Sequence, residues 1–380
     1  MKIDDKTSHN SPSLRFPEFT GEWKYFSIND VCSEFKSGKN IKADLISSNG
    51  NFPVYGGNGL RGYTSSYNHD GLYVLIGRQG ALCGNVRSVF GKIYITEHAI
   101  AVAGNEKSDT NFLHYLFLKM NLGQYSDQSA QPGLAVNKLL KLKVLLPSIS
   151  EQIKIAKLLS LLDERIAVQN RLIDRLQSLI KGINRTIFTG SGLEYSLCDV
   201  CEIRSGYSGN QLQGGKGLGV SRIETISAHN INLERIGYVA PFDASENYRL
   251  QVGDILFSNI NSVEYIGNTA FIDKDYNLYH GMNLLRLIPF RNVVVPFYLY
   301  ILLNTNRMLK HFKTICNKAV SQASINQKEL GKTIVMLPSL EKQKQVCNIY
   351  QAMYSKLKTE KDVLSFYQEQ KRYLLRHMFI

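Results

Sequence analysis

The chain has 380 residues, 44% of them hydrophobic and 20% charged, with a formal net charge of +13 and a pI near 9.3. Such values describe an ordinary folded chain with material for two or three cores, and they exclude collagen-like and intrinsically disordered classes. The cationic excess is spread along the chain rather than gathered in a tail, so it points to folded surfaces that face a polyanion, nucleic acid first.

Residues 1–19 are polar and electrically neutral, without the apolar run of a secretory signal, and read as a flexible leader. No stretch approaches the roughly 18 apolar residues of a membrane span, so the cytoplasm is the expected compartment. Residues 20–147 read as a mixed α/β domain. Its strand-like runs are LYVLIG (Leu72 to Gly77) and KIYITEHAIAV (Lys92 to Val102), followed by an apolar helix around Thr110 to Leu122. Its loops are rich in Tyr, Asn, Gly, Gln and Arg. PVYGGNGLRGYTSSYNHDG presents Arg61, Tyr63, Tyr67, Asn68 and His69, and IGRQGALCG places Arg78 and Gln79 on a glycine-flanked turn. These side chains suit hydrogen bonds to base edges and phosphates as a constellation; taken singly, each is better read as filling a turn.

Residues 148–189 predict a long helix that opens after Pro147 with Ser148 as N-cap. Ile155, Leu159, Leu162, Ile166, Ile173, Leu176, Ile180, Ile183 and Ile187 fall at alternating spacings of four and three, a heptad seam interrupted only by Gln169. Residues 190–338 repeat the mixed domain, with QLQGGKG, GDILFS and LFSNINSVEY as its loop and strand segments and a helix predicted over Val295 to Phe312. Residues 339–380 repeat the helix. LPSISEQ recurs as LPSLEKQ at an offset of 191 residues, and DVCSEFKSG is echoed by DVCEIRSG. The second seam, Val346, Tyr350, Met353, Leu357, Leu364, Tyr367, Lys371, Leu374 and Met378, carries Glu360 where the first has Gln169. The fold expected is therefore α+β: two globular mixed domains separated by two long antiparallel coiled-coil helices, related by a pseudo-two-fold axis. Gln169 and Glu360 are expected to set register at some cost in stability.

No catalytic or metal site emerges. GNGLRG matches a dinucleotide fingerprint in letters only, because GYTSSYN cannot open the helix that a pyrophosphate needs. GGKG lacks the remainder of a phosphate loop. Cys198 and Cys201 form a CxxC without the second ligand pair of a zinc site, and the six cysteines are too sparse for a disulfide framework.

Two divergent domains, each closed by LP-x-x-x-x-Q and a heptad helix, resemble the specificity subunits of type I restriction-modification systems. LRFPEFTGEWK, YGGNGLRGY, LIGRQGALCG, TEHAIAV and GDILFS carry the likeness further, over nearly the whole chain. Lys342 departs from it, standing where the family usually has glutamate. The resemblance implies a non-catalytic subunit whose two target-recognition domains read the halves of a split double-stranded DNA site, with the helices setting the gap. It implies two modification subunits and restriction subunits as partners, with S-adenosylmethionine, Mg and ATP bound there and no cofactor here. Residues chosen for DNA contact are Arg61, Tyr63, Arg78, Gln79 and Gln131 in the first domain, and Lys216, Arg222, Asn259, Asn261 and Gln322 in the second. Gln131 and Gln322 lie in matching loops ahead of the repeat. Two other readings stay open: a stand-alone methyltransferase or endonuclease, which would need a cofactor motif absent here, and a coiled-coil scaffold without a DNA role.

Overall fold

The computed structural model describes residues 10–127, 132–187, 192–212, 214–226, 230–319 and 322–380. They form two compact units: Met1–Arg171 with Lys361–Ile380, and Leu172–Glu360. Each of the two long helices, Ile149–Ile187 and Leu340–His377, is thus divided between the units.

The first unit holds a six-stranded sheet in the order Cys32–Ser37, Ala99–Gly104, His69–Gly77, Val86–Ile95, Phe52–Gly56, Gly59–Thr64. One pairing, Phe52–Gly56 with Val86–Ile95, is parallel. The run KIYITEHAIAV, read as one strand, is two, because the chain turns at Thr96–His98 with Ala99 N donating to Thr96 O at 3.0 Å. Helix Thr110–Met120, N-capped by Asp109, buries Phe112, Leu113, Leu116 and Phe117. Its core is continuous with the start of the first long helix (Ile155, Leu159, Leu162) and the end of the second (Leu374, Met378, Phe379), which run antiparallel here. Within this seam Lys371 Nζ meets Asp163 Oδ1 at 2.5 Å, and Tyr115 OH donates to Asp163 Oδ2 at 2.9 Å. The lysine of the second seam is thus neutralised within the unit.

From Asn10 onward the leader is folded, contrary to the flexible segment expected. Leu14 N donates to His377 O at 2.9 Å, and Arg15 grips Glu151 with Nε and Nη2, both at 2.7 Å. Glu151 is 1% exposed, and a buried carboxylate requires a cation, which the leader supplies. Lys342, the counterpart of Glu151, is exposed.

The second unit holds a four-stranded antiparallel sheet in the order Cys201–Ser205, Leu285–Pro289, Ile255–Phe257, Thr269–Phe271. The helix expected over Val295 to Phe312 is two helices, Pro296–Leu303 and Asn306–Ile315. Thr305 sits between them, its hydroxyl donating to Leu302 O and accepting from Met308 N, so it restarts the second helix as its N-cap.

Duplication reaches the hydrogen bonds. Strand Lys24–Ser27 pairs with Lys143–Leu146, and Leu193–Ser196 pairs with Ile334–Leu337. Ile28 N donates to Leu142 O at 3.0 Å, and Leu197 N to Thr333 O at 2.9 Å, each at the start of a short helix with a Ser–Asp capping box. Of the seam residues, Ile155, Leu159, Leu162, Gln169, Ile173, Leu357, Glu360 and Leu374 are buried, and Ile166, Leu176 and Leu364 are half-buried. Lys356 reaches Glu360 at 2.6 Å.

His280 in the second unit is 1% exposed and its Nε2 bonds Leu284 O at 3.0 Å. Burial, with a further push from the Arg286 cation, moves it down from its ordinary 6.5 to about 4. The unfolded chain protonates this ring below its ordinary value while the folded chain does not. Its contribution is therefore complete above that value and is lost as pH falls through the window toward 4. At pH 5 the loss is about 2 kcal/mol. Urea titrations at pH 7 and pH 5 should show a pH-dependent drop in the wild type that is smaller by that amount in His280→Gln.

Candidate nucleic-acid interface

The GNGLRG segment is a β-hairpin, Phe52–Gly56 against Gly59–Thr64, with Gly56 opposite Gly59. Its tip is wedged into the domain. A Cβ on Gly57 would lie 2.7 Å from His98 O and 3.5 Å from Arg78 N, and one on Gly56 would lie 2.8 Å from Arg61 Cδ. Gly59, at φ +106°, leaves room for the Arg87 guanidinium, 3.0 Å from where its Cβ would be. Three segments thereby bring Arg61, Arg78 and Arg87 to one corner. Among the described residues none of the three makes a side-chain hydrogen bond or ion pair. Gln79 is exposed at the same place, with Oε1 3.1 Å from His98 Nδ1. Guanidiniums without protein partners on neighbouring segments suit an anion, which can accept bidentate hydrogen bonds from them.

Tyr63 is placed elsewhere, half-buried, its N–H and C=O exchanged with Ser47 at 2.9 Å each. Gln131 lies outside the described residues. Arg87 and His98 were missed in the sequence. NVRS and TEHA gave no sign that a hairpin tip would gather them, and only the run of closely spaced glycines hinted at it.

In the second unit the chosen residues fall at two places. Lys216 is exposed on the Gly214–Gly217 turn, and Arg222 lies beside Gly237 of the hairpin Leu218–Val220/Gly237–Val239, with Glu224 3.7 Å away. Asn259, Asn261 and Gln322 gather around a small sheet of Ile260–Asn261, Ala323–Ser324 and Asn317–Lys318. Asn261 spends its amide locally, Nδ2 on Ser258 Oγ at 3.1 Å and Oδ1 accepting from Ser262 N at 2.8 Å. Asn259 Nδ2 bonds Ile325 O at 3.3 Å. These two asparagines build the corner, while exposed Gln322 and the overlooked Lys318 face outward from it.

The second corner repeats the first. Leu134 N donates to Arg78 O, and Ile325 N to Asn259 O, both at 2.9 Å. Gly84 N bonds Gly77 O and Gly267 N bonds Ser258 O, with φ values of +85° and +83° at the two glycines. Among the described residues no group of three or more His, Cys, Asp or Glu is placed to hold a metal ion, and no helix is long and apolar enough to cross a membrane.

Residues 20–178 and 193–365 each match the family described as the type I restriction modification DNA specificity domain. The chain belongs to that family. It is 42% identical over 154 residues to the type I restriction enzyme EcoprrI specificity subunit of Escherichia coli, a match spanning 40% of this chain and 38% of that protein. Among solved structures it resembles the type I restriction-modification S subunit from M. genitalium, with a TM-score of 0.70 at 18% identity over 97% of this chain and 99% of that one. A second likeness, to a chain from a study of complex assembly and conformational transition of the type I R-M system, has a TM-score of 0.57 at 17% identity over 94% and 97% of the two chains. These two likenesses show a shared fold. The boundaries of the family repeats enclose both corners.

Proposed function

We propose that this specificity-family chain reads a bipartite double-stranded DNA target and performs no chemistry itself. The first unit reads one half-site at the Arg61–Arg78–Arg87 corner. The second reads the other at the Lys318–Gln322 corner and the Lys216–Arg222 hairpin. The observation that carries this reading is the duplicated corner. The same backbone hydrogen bonds frame the corner in both units while the side chains and the loop lengths differ, which is what two domains need to read different sequences in the same way. The chain would present these units to two modification subunits, which bring S-adenosylmethionine, and to restriction subunits, which bring ATP-driven cleavage.

Modified-base sequencing of a host genome with and without this gene, its modification gene being expressed in both, tests the reading. A methylated motif in two parts separated by a fixed gap, dependent on this gene, is the expected result. Arg78→Ala should cost about 1–3 kcal/mol of discrimination, erasing or relaxing one half of that motif and sparing the other. Unchanged modification by this variant would remove Arg78 from the reading surface.

A further inference from the structure

The two corners share a feature that hydrogen bonding to bases does not use. Asn85 N donates to Leu82 O at 3.1 Å, and Asn268 N to Tyr265 O at 3.2 Å. One residue before each asparagine lies the glycine with φ near +85° whose N–H closes the turn, Gly84 or Gly267. Leu82 and Tyr265 therefore hold the same position on the two turns. They are different residues on loops of different length, yet each is 49% exposed. A single exposed apolar side chain needs no explanation. Two at one equivalent position, each next to the polar residues of a reading corner, call for a shared task.

The turns are built to hold these side chains outward. The residue after each packs inward: Ile266 is 1% exposed, and Cys83 is half-buried with Sγ on Arg78 O at 3.2 Å. A Cβ on Gly84 would strike the backbone of Gly123, and one on Gly267 would lie 2.6 Å from Phe312 Cδ2, so the base of each turn sits against its domain. Arg78 and Gln79 lie on the same turn as Leu82, and Ser262 and Glu264 on the same turn as Tyr265, whose N–H bonds Ser262 O at 3.0 Å. An apolar tip held outward on a turn that also carries polar residues suits insertion between stacked bases, where unstacking costs a few kcal/mol and polar contacts beside it offset the cost.

We propose that Leu82 and Tyr265 are apolar wedges, each entering a base step of the half-site its own unit reads. This rests on the DNA-reading function proposed above. The test uses the complex of this chain with its modification subunits and a duplex carrying the motif found by modified-base sequencing. 2-Aminopurine is placed singly at positions other than the methylated adenines, since it brightens when it loses stacking. The expected result is one position in each half-site that brightens several-fold on binding. Leu82→Ser returns only the first unit's half to the duplex level, Tyr265→Ser only the second's, and Leu82→Met and Tyr265→Phe preserve the signal.

Serine variants that bind the duplex and brighten it as the wild type does would overturn the wedge and leave the DNA reading intact. So would a thymine-to-uracil change in the half-site that costs as much affinity as Leu82→Ser in a duplex that never brightens, because the tip would then touch a methyl group in the groove. A folded wild-type complex with no salt-dependent affinity for the duplex would overturn both.

Discussion

Replacing Arg286 by methionine should destabilise the second unit by about 3–5 kcal/mol, more than any surface change in the chain. Arg286 lies on the strand Leu285–Pro289, between Cys201–Ser205 and Ile255–Phe257, and is 5% exposed. Its Nη2 meets Asp254 Oδ2 at 2.6 Å and its Nη1 donates to Asn247 O at 3.2 Å. Asp254 is 3% exposed and also accepts from Gln251 N at 2.7 Å. Burial holds its carboxyl above the ordinary value in spite of the Gln251 N–H and the guanidinium. Without Arg286 that carboxylate must either stay charged in an apolar interior or take up a proton, and both cost stability. Methionine fills the space but answers neither need. Arg286→Met with Asp254→Leu should recover most of the loss, because an apolar pair of similar volume can match a buried ion pair. Urea unfolding followed by far-UV circular dichroism measures both variants. A loss under 1 kcal/mol in the single variant would mean that water reaches the pair. The only tryptophan, Trp23, lies in the first unit and would not report this change.

The fold was legible where the sequence repeats itself. An offset of 191 residues and a heptad seam are long-range statements that a single chain makes openly, and they place the starts of both long helices to within one residue. Short-range pattern did less well where one polar residue outweighs an apolar run. Thr305 splits a helix whose hydrophobic content argues for continuity, since an N-cap satisfies backbone groups that hydrophobicity cannot. The leader failed in the opposite sense: a polar segment reads as mobile unless one knows that Glu151 is buried and waiting for Arg15.

The site was legible in kind rather than in membership. Arg78 and Gln79 could be chosen because glycines bracket them. Arg87 could not, since its place at the corner depends on Gly59, 28 positions earlier, being folded beneath its guanidinium. Asn259 and Asn261 were chosen for their amides, and the structure uses those amides to shape the turn. Residue type says what a side chain can bond; only the pairing of distant strands says whether those bonds are already made.

The repeated glutamine of LP-x-x-x-x-Q gives the other large effect, and Gln152→Leu should cost the first unit about 3–5 kcal/mol. Gln152 is fully buried. Its Nε2 donates to Lys107 O at 3.0 Å and to Pro147 O at 2.9 Å, while Oε1 accepts from Asp109 N at 2.9 Å. Asp109 is the N-cap of Thr110–Met120, so one amide ties the start of the long helix to the start of the domain helix. Gln343 does the same in the second unit, with Nε2 on Val293 O at 3.3 Å and Pro338 O at 2.9 Å and Oε1 accepting from Val295 N at 2.8 Å. Leucine keeps the volume but leaves one buried N–H and two carbonyls unpaired at about 1–3 kcal/mol each, part of which relaxation returns. Glutamate should be nearly as damaging, because it can accept from Asp109 N but cannot donate to either carbonyl. Trp23, 2% exposed and packed edge-on against Phe112 at 6.2 Å, reports this region directly. Its fluorescence should follow an unfolding transition at clearly lower urea in Gln152→Leu and Gln152→Glu. Gln343→Leu should instead accelerate hydrogen exchange in Pro296–Leu303. If the glutamine were only a helix former, Gln152→Leu would unfold at the wild-type midpoint, and the motif's repetition would have to be explained by something other than this junction.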